Sequence, residues 1–167
     1  MQGSELRPIH RAHIVQEWLD YNGHLNEAYY VLVFSHATDA LLDLIGMDDT
    51  WRREHRLTVY TLETHVRYLR EVGVDVTVRV DCRLLELDHK RLRLFHAMSR
   101  EDDGTLLATA EMLLVHIDQS GPRSAAWTDA VRRRLDDLHV RHADEAWPDG
   151  AGRAITLTRS KSGNGQA

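Results

Sequence analysis

The chain has 167 residues, which suits one domain with a hydrophobic core and is short for two. Its formal net charge of −5 argues against nucleic-acid binding, for which a basic balance or a basic stripe is typical. Cys82 is the single cysteine, no apolar run approaches about 18 residues, and "MQGSELRPIH" has no apolar core of signal-peptide length, so we expect a cytoplasmic protein without disulfides or membrane spans.

The first predicted elements are a short strand, a turn and a long helix. The strand covers "PIHRAHIV", and the turn follows in "DYNGH", where Gly23 can adopt backbone angles that other residues avoid. Asn26 is expected to cap the helix, and Glu27 adds favourable negative charge to its first turn. Apolar side chains then recur at helical spacing as far as Ile45, and Gly46 is placed to end the helix.

Four strands are predicted downstream of this helix. Residues 60–68 and 74–84 alternate between apolar and polar side chains, which is typical of a strand with one buried face. "RLRLFHAM" and "TLLATAEMLLVHI" give two more strands, and Asp103-Gly104 between them is a hairpin signal. Consecutive strands with short links must run antiparallel, because a parallel pair needs a long crossover. The long helix is expected to cover one face of this sheet, which defines an α+β fold.

The sequence changes character after residue 118. "QSGPRSAAW" resembles a linker, and Trp127, Val131, Leu135 and Leu138 have the spacing of one face of a second, shorter helix. "GAGRAITL" is expected to return along the body irregularly. We therefore divide the chain into a main domain (residues 1–118), a C-terminal extension packed on it (119–156) and a disordered tail (157–167).

The segment "WLDYNGHLNEAYY" resembles the D-x-x-G-H-x-N segment of the 4-hydroxybenzoyl-CoA thioesterase-like family. "RYLREVGVDV" and "LATAEMLLVHID" match the places where that family has the exit of its second strand and its last strand. The resemblance covers roughly residues 8–118. It implies the hot-dog fold, in which an antiparallel sheet wraps a long central helix, and the hydrolysis of acyl-CoA thioesters.

Within the family, the chain is most similar to the thioesterases that hydrolyse betainyl-CoA in bacterial carnitine catabolism. "YTLETHVRYLREV", "KRLRLFHAM" and "GAGRAITL" carry this closer likeness. It implies a small acyl group as substrate, with coenzyme A as part of that substrate and no other cofactor. Two alternatives stay open: a thioesterase for aromatic or medium-chain acyl-CoA, and a non-catalytic module that binds acyl-CoA. A hydratase is disfavoured because the G-D-x-N-P-x-H signature of those enzymes is not matched here.

Thioester hydrolysis requires a nucleophile or base beside the carbonyl group and hydrogen-bond donors for the developing oxyanion. The resemblance assigns Asp20 as the catalytic carboxylate, which either attacks the carbonyl or activates water. Asn22, Gly23 and His24 are expected to support it, together with free N–H groups at the N-terminus of the helix. The structural alternative is that Asp20 and Asn22 only cap the turn and that His24 only binds the loop backbone.

A betaine acyl group would need aromatic faces and one carboxylate, because a trimethylammonium has no N–H to donate. Tyr60 and Glu63 are the predicted acyl-binding residues, on a strand that the family pattern places across a dimer interface. Lys90 and Arg91 are the predicted contacts for the CoA phosphates, with Arg67 and Arg70 as second choices. Further aromatic candidates for the pocket wall are Trp18, Tyr21, Tyr29 and Trp51.

A metal site was the remaining possibility, since the chain contains 11 histidines. His139 and His142 lie three residues apart, with Asp136 and Glu145 nearby, but the spacing fixes no third ligand. We interpret them as the polar face of the second helix and expect no metal. We also expect a homodimer, with a tetramer as the alternative, because pairing would cover an exposed sheet edge.

Overall fold

The computed structural model describes residues 7–157. Its helices are α1 (Glu27–Leu44), α2 (Asp49–His55) and α3 (Asp129–Ala143). Its strands are β1 (His10–His13), β2 (Leu57–Tyr68), β3 (Thr77–Leu87), β4 (Arg91–Arg100), β5 (Leu106–Asp118) and β6 (Arg123–Ser124). The α+β hot-dog architecture is confirmed: the long helix α1 packs against a curled antiparallel sheet, and the C-terminal helix α3 contacts β3.

Helix α1 begins and ends close to the predicted positions. The side chain of Asn26 accepts a hydrogen bond from the amide of Ala28 at 3.0 Å, which satisfies one of the first N–H groups of the helix. Gly46, with φ of +78°, follows the last turn. Val33, Phe34, Ala37 and Leu41 are buried among others on the face that α1 turns to the sheet.

The strand order is β1-β3-β4-β5-β2, with every pair antiparallel and β6 paired to β5. The expectation of simple consecutive pairing is wrong for β2 and β3, because β2 pairs with β5 at the far edge. Residues 69–76 form the link and cross beside the N-terminus of α1. Along this path Val72 accepts a hydrogen bond from the amide of Leu25, and Val76 accepts one from the amide of Ile14, both within 2.9 Å. The crossover therefore joins the exit of β2 to the DYNGH turn.

Helix α3 packs against β3, beyond the part of that strand that pairs with β1. Val131, Leu135 and Leu138 are buried as their spacing predicts. We call the polar contact at the end of this helix the α3 dock; it consists of Arg83, Leu84, His142, Glu145 and Ala146. The guanidinium of Arg83 donates to the backbone carbonyls of residues 142, 145 and 146, and the amide of Leu84 donates to Nδ1 of His142 at 3.2 Å. Buried partners therefore close the C-terminus of α3.

The segment after α3 follows the outer face of the sheet only in part. Arg93 lies over the ring of Trp147 at 5.1 Å, and the amide of Gly152 donates to Glu111 at 2.7 Å. Ile155 and Leu157 are fully exposed, so the expected return along the body stops before them. The predicted disordered tail lies outside the described residues except for Leu157, and the proposed domain boundaries stay a prediction.

Helix α2 and strand β6 were missed from the sequence. Asp48 caps α2 by accepting a hydrogen bond from the amide of Trp51 at 2.8 Å, and Arg56 ends it with φ of 55°. The helix is seven residues long and buries none of them fully, so it leaves little periodic signal. Strand β6 is two residues long, inside the predicted linker. None of the described helices is by itself long and apolar enough to cross a membrane; α1 and α2 reach that length and composition only together, across a bend of 71°.

Candidate active site

The DYNGH turn is held by hydrogen bonds among its own residues. The Asp20 carbonyl accepts from the amide of Gly23 at 3.1 Å, and the Asp20 amide donates to the His24 carbonyl at 2.8 Å. Oδ1 of Asp20 accepts from the amides of Asn22 at 2.8 Å and His24 at 3.3 Å. Gly23 adopts φ of +78°, a left-handed conformation that costs little only for glycine. This geometry fixes one carboxylate oxygen, Oδ1, and neither of these two amides bonds Oδ2.

The turn also keeps Asp20 ionised. Partial desolvation of the carboxyl group acts to raise its pKa, but the hydrogen bonds from the amides of Asn22 and His24 outweigh it. The pKa of Asp20 therefore lies below its ordinary value. The capping role foreseen as the structural alternative is present, and it is compatible with a reactive carboxylate because only one of the two oxygens is used for it.

The N-terminus of α1 offers one open amide beside this turn. The amide of Asn26 donates to the Trp18 carbonyl at 2.9 Å, and the amides of Ala28 and Tyr29 donate to the side chain and the carbonyl of Asn26. Within residues 7–157, the amide of Glu27 has no acceptor. We expected several free N–H groups here, and the cap reduces them to this one. It points from the positive end of the helix dipole.

A cavity of about 900 Å³ opens at this position. Its wall contains the turn, the first residues of α1 and the exit of β2; the lining residues are Asp20, Tyr21, Asn22, His24, Leu25, Asn26, Glu27, Tyr30, Tyr68, Leu69, Arg70 and Glu71. We call it the Asp20 cavity. The rings of Tyr30 and Tyr68 meet edge to face at 5.3 Å, and Nδ1 of His24 lies 3.7 Å from the carboxylate of Glu71. The structure thus brings together Asp20, Asn22 and His24 as expected.

The predicted acyl-binding residues lie elsewhere in the protomer. Glu63 faces the side of the sheet opposite α1, where it lines a second cavity of about 690 Å³ with Glu86, Arg93 and Glu111. Tyr60 is 46% exposed on β2, at the edge of the sheet. Neither residue lines the Asp20 cavity, so an acyl-binding role for them requires a second chain.

The predicted CoA contacts lie at the turn between β3 and β4. Arg91 forms an ion pair with Asp88 at 2.7 Å, and Nζ of Lys90 donates to the hydroxyl of Ser124 at 3.2 Å. Burial acts to raise the pKa of Asp88, but the amides of residues 90 and 91 and the Arg91 guanidinium lower it to about 2. Of the four basic residues considered for CoA, only the second choice Arg70 lines the Asp20 cavity.

Most of the aromatic candidates for the pocket wall serve in packing instead. Trp18 stacks on Tyr29 at 5.3 Å, and Trp51 stacks on His55 at 4.3 Å. Tyr21 does line the cavity and is 97% exposed. Tyr30, Tyr68 and Glu71 also line the cavity and were not predicted from the sequence. Tyr68 and Glu71 belong to the segment "RYLREVGVDV", but only the crossover of the following link brings them to the DYNGH turn.

The helical histidine pair is also placed differently from expectation. His142 is buried in the α3 dock, so it does not belong to a polar helix face. Burial lowers its pKa, which keeps Nδ1 free to accept the amide of Leu84. Among residues 7–157, no group of three or more His, Cys, Asp or Glu side chains is arranged to hold a metal ion.

A hot-dog fold with an ionised carboxylate and an open helix-terminal amide in one cavity defines a protein of the acyl-thioester-binding class. The model of the thioesterase-like superfamily matches residues 14–135. The chain belongs to this family.

Two curated relatives and one solved structure are similar over most of the chain. The betainyl-CoA thioesterase of Pseudomonas aeruginosa is 40% identical over 92% of this chain and 97% of its own length. The L-carnitine dehydrogenase/betainyl-CoA thioesterase of Agrobacterium fabrum is 43% identical over 92% of this chain, which corresponds to 31% of that longer protein. A hypothetical protein of Staphylococcus aureus in complex with CoA superposes with a TM-score of 0.84, at 28% identity, covering 89% of this chain and 94% of that one.

Proposed function

We propose that the protein hydrolyses acyl-CoA thioesters, with betainyl-CoA as its substrate and betaine and CoA as products. The observation that carries this proposal is the similarity to the P. aeruginosa betainyl-CoA thioesterase, which extends over 97% of that protein. The A. fabrum protein also matches over 92% of this chain, although the match covers only 31% of that longer protein. The matched region contains the Asp20 cavity, which combines an ionised carboxylate with an open helix-terminal amide.

In the proposed reaction Asp20 is the catalytic carboxylate. Oδ1 is occupied by two amides of the turn, so the attack on the carbonyl carbon or on a water molecule falls to Oδ2. The lowered pKa of Asp20 keeps it in the charged form that either route requires. Water supplies the atoms that balance the cleavage: the acyl carbon gains the hydroxyl group, the C–S bond breaks, and the sulfur of CoA leaves with the remaining proton.

The open amide of Glu27 is the proposed donor to the oxyanion that forms during this step. A backbone N–H at the start of α1 is rigid and already oriented, and the helix dipole adds positive potential there. Gly23 keeps the approach clear, because within the described residues no atom lies within 4 Å of the position that a Cβ would occupy. Asn22 and His24 support the carboxylate through their amides.

We further propose a cytoplasmic homodimer that pairs through β2. This strand forms one edge of the sheet and exposes Tyr60 and Leu62, which a solitary protomer would leave open to uncontrolled pairing. A partner subunit is also what the predicted roles of Tyr60 and Glu63 in acyl binding require. Lys90 and Arg91 stay the predicted CoA contacts on the same condition. No cofactor is proposed beyond the CoA of the substrate.

The test is thiol release from a panel of thioesters by the full chain. The panel contains betainyl-CoA, acetyl-CoA, 4-hydroxybenzoyl-CoA and octanoyl-CoA, with the Asp20→Asn variant purified in parallel to exclude a contaminating thioesterase. We expect betainyl-CoA to have the highest kcat/KM. Preference for 4-hydroxybenzoyl-CoA or octanoyl-CoA would replace the substrate, and absence of cleavage of all four would support the non-catalytic binding module instead.

A further inference from the structure

The acyl group of betainyl-CoA restricts where its charge can be recognised. This inference rests on the proposed function. Betaine is trimethylglycine, so one methylene separates the quaternary nitrogen from the thioester carbonyl, a distance of about 2.5 Å. If the carbonyl lies between Asp20 and the amide of Glu27, the cation must lie in the same cavity. Glu63, on the opposite face of the sheet, cannot reach it from the same protomer.

Three tyrosines line the Asp20 cavity: Tyr21 is 97% exposed, and the rings of Tyr30 and Tyr68 contact each other. The hydroxyl groups of these two rings are occupied by backbone carbonyls, since Tyr30 donates to Arg70 at 3.2 Å and Tyr68 donates to Glu27 at 3.3 Å. Tyr30 is buried, whereas Tyr68 is 48% exposed. The ring of Tyr68 is therefore the tethered aromatic surface that a ligand in this cavity can touch.

Glu71 supplies a carboxylate next to these rings. Its side chain is 75% exposed, and its carboxylate lies 3.7 Å from Nδ1 of His24, beside the DYNGH turn. Burial raises the pKa of Tyr30 to about 12, and the charges of Glu71 and Asp20 add to this effect, so both carboxylates lie near the Tyr30 hydroxyl. Glu27 also lines the cavity, but no ion pair directs its carboxylate toward the turn among the described residues.

We propose that Glu71 and the ring of Tyr68 recognise the quaternary ammonium of the acyl group and determine its preference over neutral acyl groups. Glu71 provides the counter-charge, and Tyr68 provides the face against which the methyl groups pack. This arrangement lies in the protomer that also carries Asp20 and the open amide of Glu27. Asp20 thereby remains available for the reaction.

The experiment compares two thioesters of the same shape, betainyl-CoA and 3,3-dimethylbutanoyl-CoA, in which carbon replaces the charged nitrogen. The measured quantity is the kcat/KM for betainyl-CoA divided by the kcat/KM for 3,3-dimethylbutanoyl-CoA. We expect Glu71→Gln to lower this ratio about fivefold, through a higher KM for betainyl-CoA, as for the loss of a partly exposed ion pair. Tyr68→Leu should lower it by a similar factor, while Tyr68→Phe keeps the ring and the ratio. Glu54→Gln removes an exposed carboxylate of α2 outside the cavity and serves as the matched control.

Three outcomes would overturn the inference, with thermal unfolding used to check that each variant is folded. An equal loss on both thioesters in Glu71→Gln would mean that Glu71 acts by positioning His24. An unchanged ratio in Glu71→Gln with a lowered ratio in Glu27→Gln would move the counter-charge to Glu27. A wild-type protein that cleaves neutral thioesters but not betainyl-CoA would refute the proposed substrate itself, before any variant is compared.

Discussion

The DYNGH turn and the α3 dock both provide hydrogen-bond partners for polar groups at a bend of the chain, but the turn uses sequence neighbours and the dock uses distant residues. In the turn, Asp20 bonds amides two and four residues away and stays partly exposed. In the dock, Arg83 and Leu84 bond groups 58 to 63 residues away, and Arg83 and His142 are buried. The turn retains an open carboxylate oxygen and borders an open amide. In the dock, the guanidinium of Arg83 donates to three carbonyls at the end of α3 and just beyond it.

This difference separates chemistry from stability. A reactive group must keep one donor or acceptor atom free and facing a cavity. Hydrogen bonds to residues close in sequence can hold such a group in place without burying it. A docking contact gains its stability by excluding water from groups that are all paired. Substitutions in the turn should therefore change rates and leave the fold, and substitutions in the dock should do the reverse.

The largest effect is expected for Asp20→Asn. The amide oxygen of asparagine can accept the same two turn hydrogen bonds, but the side chain cannot act as base or nucleophile. We expect kcat/KM to fall by about 10²–10⁴-fold, while the free energy of unfolding changes by less than about 1 kcal/mol. Thiol-release kinetics and urea unfolding measure the two quantities. A large loss of stability would show that the turn is a structural element after all.

The second effect concerns the open amide at the start of α1. Glu27→Pro removes this N–H at the first helical position, where proline is tolerated and where the preceding Asn26 already has extended backbone angles. We expect kcat to fall by about 10²–10³-fold with the helix intact. Glu27→Ala is the matched control, because it removes the same side chain and keeps the N–H. Equal activity of the two variants would exclude the amide as the oxyanion donor.

The dock should respond in the opposite sense. Arg83→Met removes the donors that close the end of α3, and we expect it to lower the free energy of unfolding by about 2–4 kcal/mol. The kcat of the folded protein should stay within about twofold, since no residue of the dock lines the Asp20 cavity. Arg53→Met removes an exposed pair with Asp49 and should cost less than about 1 kcal/mol. A lowered kcat in Arg83→Met would contradict the conclusion that the dock affects stability and not the reaction rate.

Lowering the pH should destabilise the fold through the buried histidines before it affects the DYNGH turn. Burial lowers the pKa of His96 to about 4 and also lowers that of His142. The unfolded chain binds these protons more readily than the folded protein does. The free energy of unfolding is therefore unaffected by these histidines above about pH 6.5 and decreases as the pH falls toward 4, by about 3 kcal/mol for His96. Asp20 has a pKa below its ordinary value, so it takes up its proton at a lower pH than an ordinary aspartate. Urea unfolding between pH 7 and pH 4 should show this decrease in the free energy of unfolding. The His96→Gln variant should show a weaker dependence of that free energy on pH. An unchanged pH dependence would contradict the role of His96.

The smallest effect is expected at Gly23. Alanine would meet no atom within 4 Å there, so the cost of Gly23→Ala is the left-handed backbone alone, about 1 kcal/mol. Gly23→Asn should cost less, because asparagine tolerates this conformation better. Differential scanning calorimetry of both variants measures the comparison. A Gly23→Ala protein as stable as the wild type would mean that the turn relaxes to another conformation.

Much of the fold could be predicted from local pattern. The alternation of residues 74–84 identified β3, and Asn26 marked the start of α1 to the residue, because both signals depend on neighbours in sequence. The pairing of β2 with β5 could not be predicted in this way. The alternation within β2 is compatible with more than one neighbouring strand, and the structure pairs it with β5.

The candidate site divides along the same line. The sequence by itself determined the DYNGH turn, its helix and the family, because backbone preferences and capping act over four or five residues. Tertiary structure alone decided that Tyr30, Tyr68 and Glu71 share a cavity with Asp20, while Glu63 faces the other side of the sheet. The reason is physical: a strand's residue spacing gives alternating faces, but which face meets the helix, and which strand end meets the turn, depends on where the whole strand pairs.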